Sequence, residues 1–145
     1  MSGNKAINTI ENCTFVNISS TQEGGAIYLS LPGDLTITNC IFSQNTALDG
    51  SAIYYEETNL KTLILRSTFF YQNVAGENGA ALFISGSSAM IIEKCNFIDN
   101  LINQNVQNLG SVLYLNNPGN ISILYSDFER NEGILGTCIY YSETS

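Results

Sequence analysis

The side chains best able to do chemistry in this chain are its carboxylates and its thiols. Glycoside hydrolysis needs two convergent carboxyl groups, one to protonate the leaving oxygen and one to attack or to activate water. Four aspartates, Asp34, Asp49, Asp99 and Asp127, and the pair Glu56-Glu57 are the groups to weigh for that task. There is no histidine, so the usual general base and the usual zinc ligand are both missing. The four cysteines, Cys13, Cys40, Cys95 and Cys138, contain no Cys-x-x-Cys spacing, which argues against a zinc or thioredoxin-like site. Three triplets, Asn12-Cys13-Thr14, Asn17-Ile18-Ser19 and Asn120-Ile121-Ser122, have the form of N-glycosylation acceptors. Which of these groups can act together depends on the elements that carry them.

Those elements come from a repeat. A glycine, a small residue, an Ala, Val or Cys, an aliphatic residue and an aromatic one recur in that order. The copies are Gly24-Gly25-Ala26-Ile27-Tyr28, Gly50-Ser51-Ala52-Ile53-Tyr54, Gly79-Ala80-Ala81-Leu82-Phe83, Gly110-Ser111-Val112-Leu113-Tyr114 and Gly136-Thr137-Cys138-Ile139-Tyr140, at intervals of 26, 29, 31 and 26 residues. Phe-x-x-Asn recurs between them at Phe42 and Asn45, Phe70 and Asn73, Phe97 and Asn100, and Phe128 and Asn131, with Phe15-Val16-Asn17 as a shortened first copy. An alternating aliphatic stretch precedes each Phe, centred near Ile10, Ile37, Leu65, Ile92 and Ile123. The segments are too short for helices and rich in β-branched and aromatic residues. Three short strands and three corners per copy predict an all-β, single-stranded parallel β-helix of about five coils, a solenoid filling residues 1–145 as one module. At about 4.8 Å per coil the rod is about 24 Å long.

The pairing of Gly-Gly-Ala-Ile with Phe-x-x-Asn resembles the repeats of chlamydial polymorphic membrane proteins, and it is similar to β-helix repeats of large protist surface proteins. The resemblance implies a right-handed β-helix stalk and a role in adhesion or surface display.

Stacked coils place like residues over like. Ile10, Ile37, Leu65, Ile92 and Ile123 are expected to form one inward ladder, the five Phe a second, and Ile27, Ile53, Leu82, Leu113 and Ile139 a third. Alternation then turns Tyr28, Tyr54, Phe83, Tyr114 and Tyr140 outward as a candidate binding strip. The opposite facing, with the Tyr row inside, is the rival, and it would need a partner for every buried hydroxyl. The corner Asn are expected to bond backbone or the same Asn one coil away. Cys13, Cys40 and Cys95 each lie two residues before a Phe, where Thr68 and Ser126 stand in other copies, so small inward residues are expected there. Free thiols suit such sites, and a Cys13–Cys40 bridge between adjacent coils is the alternative. The longest insertion, Leu101 to Leu109, carries no charge and holds Asn103, Gln104, Asn105, Gln107 and Asn108. These amides form a candidate binding loop for sugar hydroxyls or a partner's backbone.

Composition narrows the function. The formal net charge is −8, with 13 acidic against 5 basic residues in 145, which disfavours nucleic acid or an anionic membrane surface as partner. Apolar runs are far shorter than a bilayer span. In coil register the four Asp do not converge, and Glu56-Glu57 falls in a turn, where solvated charge is the default. No metal, cofactor or catalytic residue is therefore expected. No signal peptide precedes the first coil, and the ends show no caps, so the chain is expected to be part of a longer protein whose other segments, or neighbouring chains, cover the open ends. The expected function is a non-catalytic structural or adhesion module, extracellular or at the cell surface, contacting protein or glycan. The alternatives are a fragment of a carbohydrate-active, pectin-lyase-like enzyme and a fibre-forming assembly unit.

Overall fold

A computed structural model describes residues 8–86, 88–103 and 111–143. Its strands are β1 (Asn8–Glu11), β2 (Thr14–Val16), β3 (Ile27–Ser30), β4 (Leu35–Thr38), β5 (Ile41–Ser43), β6 (Thr46–Asp49), β7 (Ile53–Glu56), β8 (Thr62–Arg66) and β9 (Phe69–Tyr71). They continue as β10 (Val74–Asn78), β11 (Leu82–Ser85), β12 (Ala89–Glu93), β13 (Asn96–Ile98), β14 (Leu101–Ile102), β15 (Leu113–Asn116), β16 (Ile121–Leu124), β17 (Asp127–Glu129) and β18 (Ile139–Ser142). Every pairing is parallel and joins a strand to its equivalent one coil away.

The aliphatic strands form sheet A (β1-β4-β8-β12-β16), the Phe strands sheet B (β2-β5-β9-β13-β17), and the Gly-motif strands sheet D (β3-β7-β11-β15-β18). The three-strand coil is corrected in one respect. Segments expected to be loops, Thr46–Asp49, Val74–Asn78 and the start of the long insertion, pair as a fourth sheet, C (β6-β10-β14). Single bridges Ser19 to Thr46 and Leu101 to Glu132 extend this sheet toward both end coils. Its few apolar residues hid it from periodicity: only one residue per strand, Ala47, Ala75 or Ile102, is buried.

The expected ladders are in register. Ile10, Ile37, Leu65, Ile92 and Ile123 pair in sequence across sheet A, and the three central members are fully buried. The Phe rings stack at 4.7, 5.2, 4.7 and 4.7 Å with interplanar angles of at most 8°. Sheet D contributes two inward rows, the expected Ile27 row and a second of Leu29, Tyr55, Ile84, Leu115 and Tyr141. Tyr55 is the largest fully buried side chain, and its hydroxyl donates to the Gly33 carbonyl at 3.3 Å and shares a bond with Ser88 Oγ.

The corners explain the polar repeats. At the turn from A to B one left-handed residue sits in every coil: Asn12, Asn39, Ser67, Lys94 and Tyr125, φ 47–55°. At the turn from B to C the row is Asn17, Gln44, Gln72, Asp99 and Arg130, φ 48–56°. None of the ten is β-branched, the class that tolerates this region least. Beside the second row runs a buried amide ladder. Asn45 Nδ2 donates to Asn73 Oδ1, Asn73 to Asn100 and Asn100 to Asn131, at 3.0, 3.0 and 3.1 Å. Each Nδ2 also donates to the Phe carbonyl of the preceding coil, and the Oδ1 of Asn73, Asn100 and Asn131 accepts the backbone N–H of the preceding ladder residue, while that of Asn45 accepts the Ile18 N–H. Each Asn of this ladder thus closes its own corner onto its neighbours.

Cys13, Cys40, Cys95 and Cys138 are free thiols. In the row before the Phe, Sγ or Oγ of Cys13, Cys40, Thr68, Cys95 and Ser126 donates to the carbonyl two residues back. The position needs a short donor, which is why Cys, Thr and Ser interchange. Gly50 opens the next corner with φ +59°, where a Cβ would lie 2.6 Å from the Ile53 carbonyl oxygen.

Two substitutions test this core in chemical denaturation. Phe70→Ala should cost about 3–5 kcal/mol. Asn73→Ala removes a smaller side chain, but it strips the Asn45 N–H groups and the Phe42 carbonyl of their partner at about 1–3 kcal/mol for each group water cannot reach. It should therefore destabilise as much as Phe70→Ala; a shift below about 1 kcal/mol would show that the amide ladder is dispensable.

Candidate functional site

Sheet D carries the strip. In each of its strands the aliphatic residue after the Gly corner points inward, so the next residue must face out. Tyr28, Tyr54, Phe83, Tyr114 and Tyr140 accordingly stand one above another on the outer face, and the rival facing is excluded: Ile53, Leu82 and Leu113 are fully buried while Tyr28 is 53% exposed. Ring centroids are 5.1, 4.7, 5.0 and 4.9 Å apart and the planes lie within 15° of parallel.

This stacking determines what the strip can bind. Each ring gives its faces to its neighbours, so solvent meets ring edges and hydroxyls; only the ring at each end of the stack has an outer face free of this ladder. Flat stacking of a sugar on successive rings is thus unavailable along the strip. What it offers is a column of phenolic donors at coil spacing, interrupted at Phe83. Burial, then the nearby Glu56, Tyr28, Glu23 and Asp49 charges, pushes the Tyr54 hydroxyl up to about 12. Burial, then Tyr140 and Asp49, also raises Tyr114. The Tyr54 and Tyr114 hydroxyls therefore remain protonated donors at neutral pH.

One border of the strip is acidic. Asp49, in β6, accepts bonds from the Asn78 backbone N–H at 2.8 Å and from its Nδ2 at 3.1 Å. Burial pushes the Asp49 carboxyl above the ordinary carboxylate value despite these two bonds, and the Glu77 and Glu23 charges add to the rise. The other border is a polar row in which Asn116 Nδ2 donates to Ser85 Oγ at 3.5 Å and Ser142 Oγ to Asn116 Oδ1 at 3.2 Å.

The remaining sequence candidates are dispersed. Asp34 Oδ1 accepts the Thr62 N–H at 2.9 Å, Asp99 pairs with Arg130 at 2.7 Å, and Asp127 lies exposed at the start of β17. Each of these, with Asp49, sits on a different strand or corner. Glu57 overturns the expectation of a solvated turn charge: it is 1% exposed. Its carboxylate accepts the Gly33 N–H at 2.9 Å, the Asn59 N–H at 2.9 Å and Asn59 Nδ2 at 3.0 Å. Burial opposes its charge, but these donors and Lys61 win and hold it below the ordinary carboxylate value. Among the described residues no three His, Cys, Asp or Glu side chains gather as metal ligands. An open depression of about 320 Å³ at the D-to-A corner is lined by Leu60, Lys61, Thr62, Ala89, Gly119 and Asn120, with no carboxylate.

Of the candidate loop, Leu101 and Ile102 belong to sheet C, and Ile102 is buried against Ala75 and Ala80. The Asn103 backbone N–H donates to the Ala75 carbonyl at 2.8 Å. Gln104, Asn105, Gln107 and Asn108 lie outside the described residues. The sequon residues Asn12, Asn17 and Asn120 are all exposed. One surface was overlooked: Ile41, Phe69 and Tyr71 expose 44, 45 and 39% on the outer face of sheet B. The signal was present, because a three-residue strand centred on an inward Phe must turn both neighbours outward.

Comparison with known proteins fits this geometry. Residues 1–145 match the family described as right handed beta helix region, and the chain belongs to it. A Dictyostelium discoideum protein, "Metabotropic glutamate receptor-like protein R", is 32% identical over 77 residues, which are 53% of this chain and 5% of that protein. This chain therefore spans a small part of that relative's length. No solved structure matches.

Two pH transitions follow. A tyrosine whose folded value is raised stabilises the fold fully below its unfolded value near about 10, and that contribution is lost as pH rises through about 12. Tyr54→Phe should therefore flatten the fall in melting temperature between those limits. Glu57 has the opposite sign: its contribution is present above its unfolded value of about 4.3 and is lost as pH falls through its lower folded value. Glu57→Gln should lower the melting temperature at pH 7 and narrow its gap to the parent in acid; a constant gap would place the effect outside ionisation.

Proposed function

We propose that this member of the right-handed β-helix family is a non-catalytic adhesion module of a cell-surface or extracellular protein, with sheet D as its contact face. The observation that carries the reading is how the repeated polar groups are used. The Asn amides, the Cys, Thr and Ser donors and the buried Glu57 all bond the coil itself, while the repeated phenols of sheet D point away from it. Such a chain builds a stiff rod and presents one repeated column of hydroxyls with an acidic border. That column suits a hydroxyl-rich glycan, or a protein surface that brings basic groups to Glu23, Asp49 and Glu77, and a neutral or basic ligand fits it better than an anionic one. The partial match to a receptor-like protein supports a surface setting.

The test is attachment of the folded chain to glycan arrays and to cell layers. Tyr54→Ser combined with Tyr114→Ser, its fold checked by circular dichroism, should lower attachment at least tenfold. Equal attachment by parent and variant would remove sheet D as the contact face. Release of reducing ends from any arrayed polysaccharide would show an enzyme instead.

A further inference from the structure

The three sequons occupy a distinct part of the molecule. The Phe-x-x-Asn residues Asn45, Asn73, Asn100 and Asn131 each spend both Nδ2 hydrogens on coil-closing bonds, apart from the second hydrogen of Asn131, and none is followed two residues on by Ser or Thr. Asn12, Asn17 and Asn120 all have that Ser or Thr, and all three are exposed. Asn12 is the left-handed residue of the A-to-B corner and Asn17 that of the B-to-C corner, φ 55° at both. Asn120 directly precedes β16 of sheet A. Asn12 and Asn17 therefore lie on corners between sheets A, B and C, and Asn120 lies at the sheet A end of the D-to-A corner, so none of the three is on a strand of sheet D.

We propose that Asn12, Asn17 and Asn120 are N-glycan attachment sites that clothe the A and B sides of the rod and leave the aromatic face bare. The proposal rests on the surface reading above, because the modifying enzyme works in the secretory lumen. The co-reactant is a lipid-pyrophosphate-linked oligosaccharide. Nδ2 of the amide forms a bond to C1 of the first sugar, the bond from C1 to the phosphate oxygen breaks, and the lipid pyrophosphate leaves with the electron pair. The amide proton passes to a base of the transferase. In the folded coil the attached sugar displaces no hydrogen bond of the amide ladder, and it projects from a corner rather than a pleat.

The experiment is translation of the full chain, behind a secretory signal, in the presence of endoplasmic-reticulum microsomes, where the readout does not depend on secretion or on adhesion. Three glycans are expected, removed by peptide N-glycosidase, which in heavy-oxygen water should label positions 12, 17 and 120. Thr14→Ala, Ser19→Ala and Ser122→Ala should each lose one glycan with the Asn intact. For the secreted chain, nitration of Tyr28 should run at the same rate with and without glycans. A chain that stays at its unmodified mass, a missing label at any of the three positions, or glycan-shielded Tyr28 would overturn the proposal. Glycosylated protein that fails to attach to any surface would sink the adhesion reading and leave this one standing.

Discussion

Parallel pairing of each strand with its own equivalent, about 4.8 Å away, is the constraint from which the rest of this structure follows. Once coils are stacked in that way, any residue type is repeated above and below itself, and the energetics of a position become those of a column. Phenylalanine is rewarded because rings at that spacing remain in contact, adding about 0.5–1.5 kcal/mol per pair beyond burial. Asparagine is rewarded because its amide is both donor and acceptor, so a column of them satisfies itself. A column of like charges would repel, and the charged corner positions are accordingly mixed. Arg66 stacks against Glu93 at 2.9 Å and Arg130 against Asp99 at 2.7 Å. These exposed pairs add little stability but avoid a penalty.

The same rule separates structure from function at each position. A repeated polar residue whose partners are its own copies has been used up by the fold, however much it looks like a ligand in the sequence. That is the case for the Phe-x-x-Asn amides and for the thiol and hydroxyl row before the Phe. The phenols of sheet D are repeated too, but only their rings are spent on the ladder. Their hydroxyls remain available, and burial pushes that of Tyr54 up to about 12. A face of this kind offers ring edges and hydroxyls rather than open ring faces.

Glu57 shows how one irregular residue serves a regular frame. Its equivalents in the coils before and after it are Leu31, Gly86 and Asn117, each with positive φ, while Glu143 ends the row in the last coil. Glu57 alone replaces a left-handed corner with a buried carboxylate. It gathers N–H groups from Gly33 in one coil and Asn59 in its own. Gly86 must then be a glycine, since a Cβ there would collide with the Glu57 carbonyl. Local chemistry at one corner thus fixes the residue permitted in the next coil.

The sequence by itself determined the repeat, the parallel stacking, the register and three inward rows, because side chains that alternate on strands and recur near 29 residues bury their apolar members by stacking like on like. It favoured the Tyr row outside but left the opposite facing open, and the burial of Ile53, Leu82 and Leu113 in the folded chain decided between them. It could not reveal sheet C, whose strands bury a single small or aliphatic residue and so leave no periodicity to detect. Nor could it show that Glu57 is buried, that Ile41, Phe69 and Tyr71 form an apolar face, or that the phenol rings close their faces to solvent. Those properties depend on distances between residues some 24 to 31 positions apart, set by how one coil settles on the next, and only the folded chain brings them together.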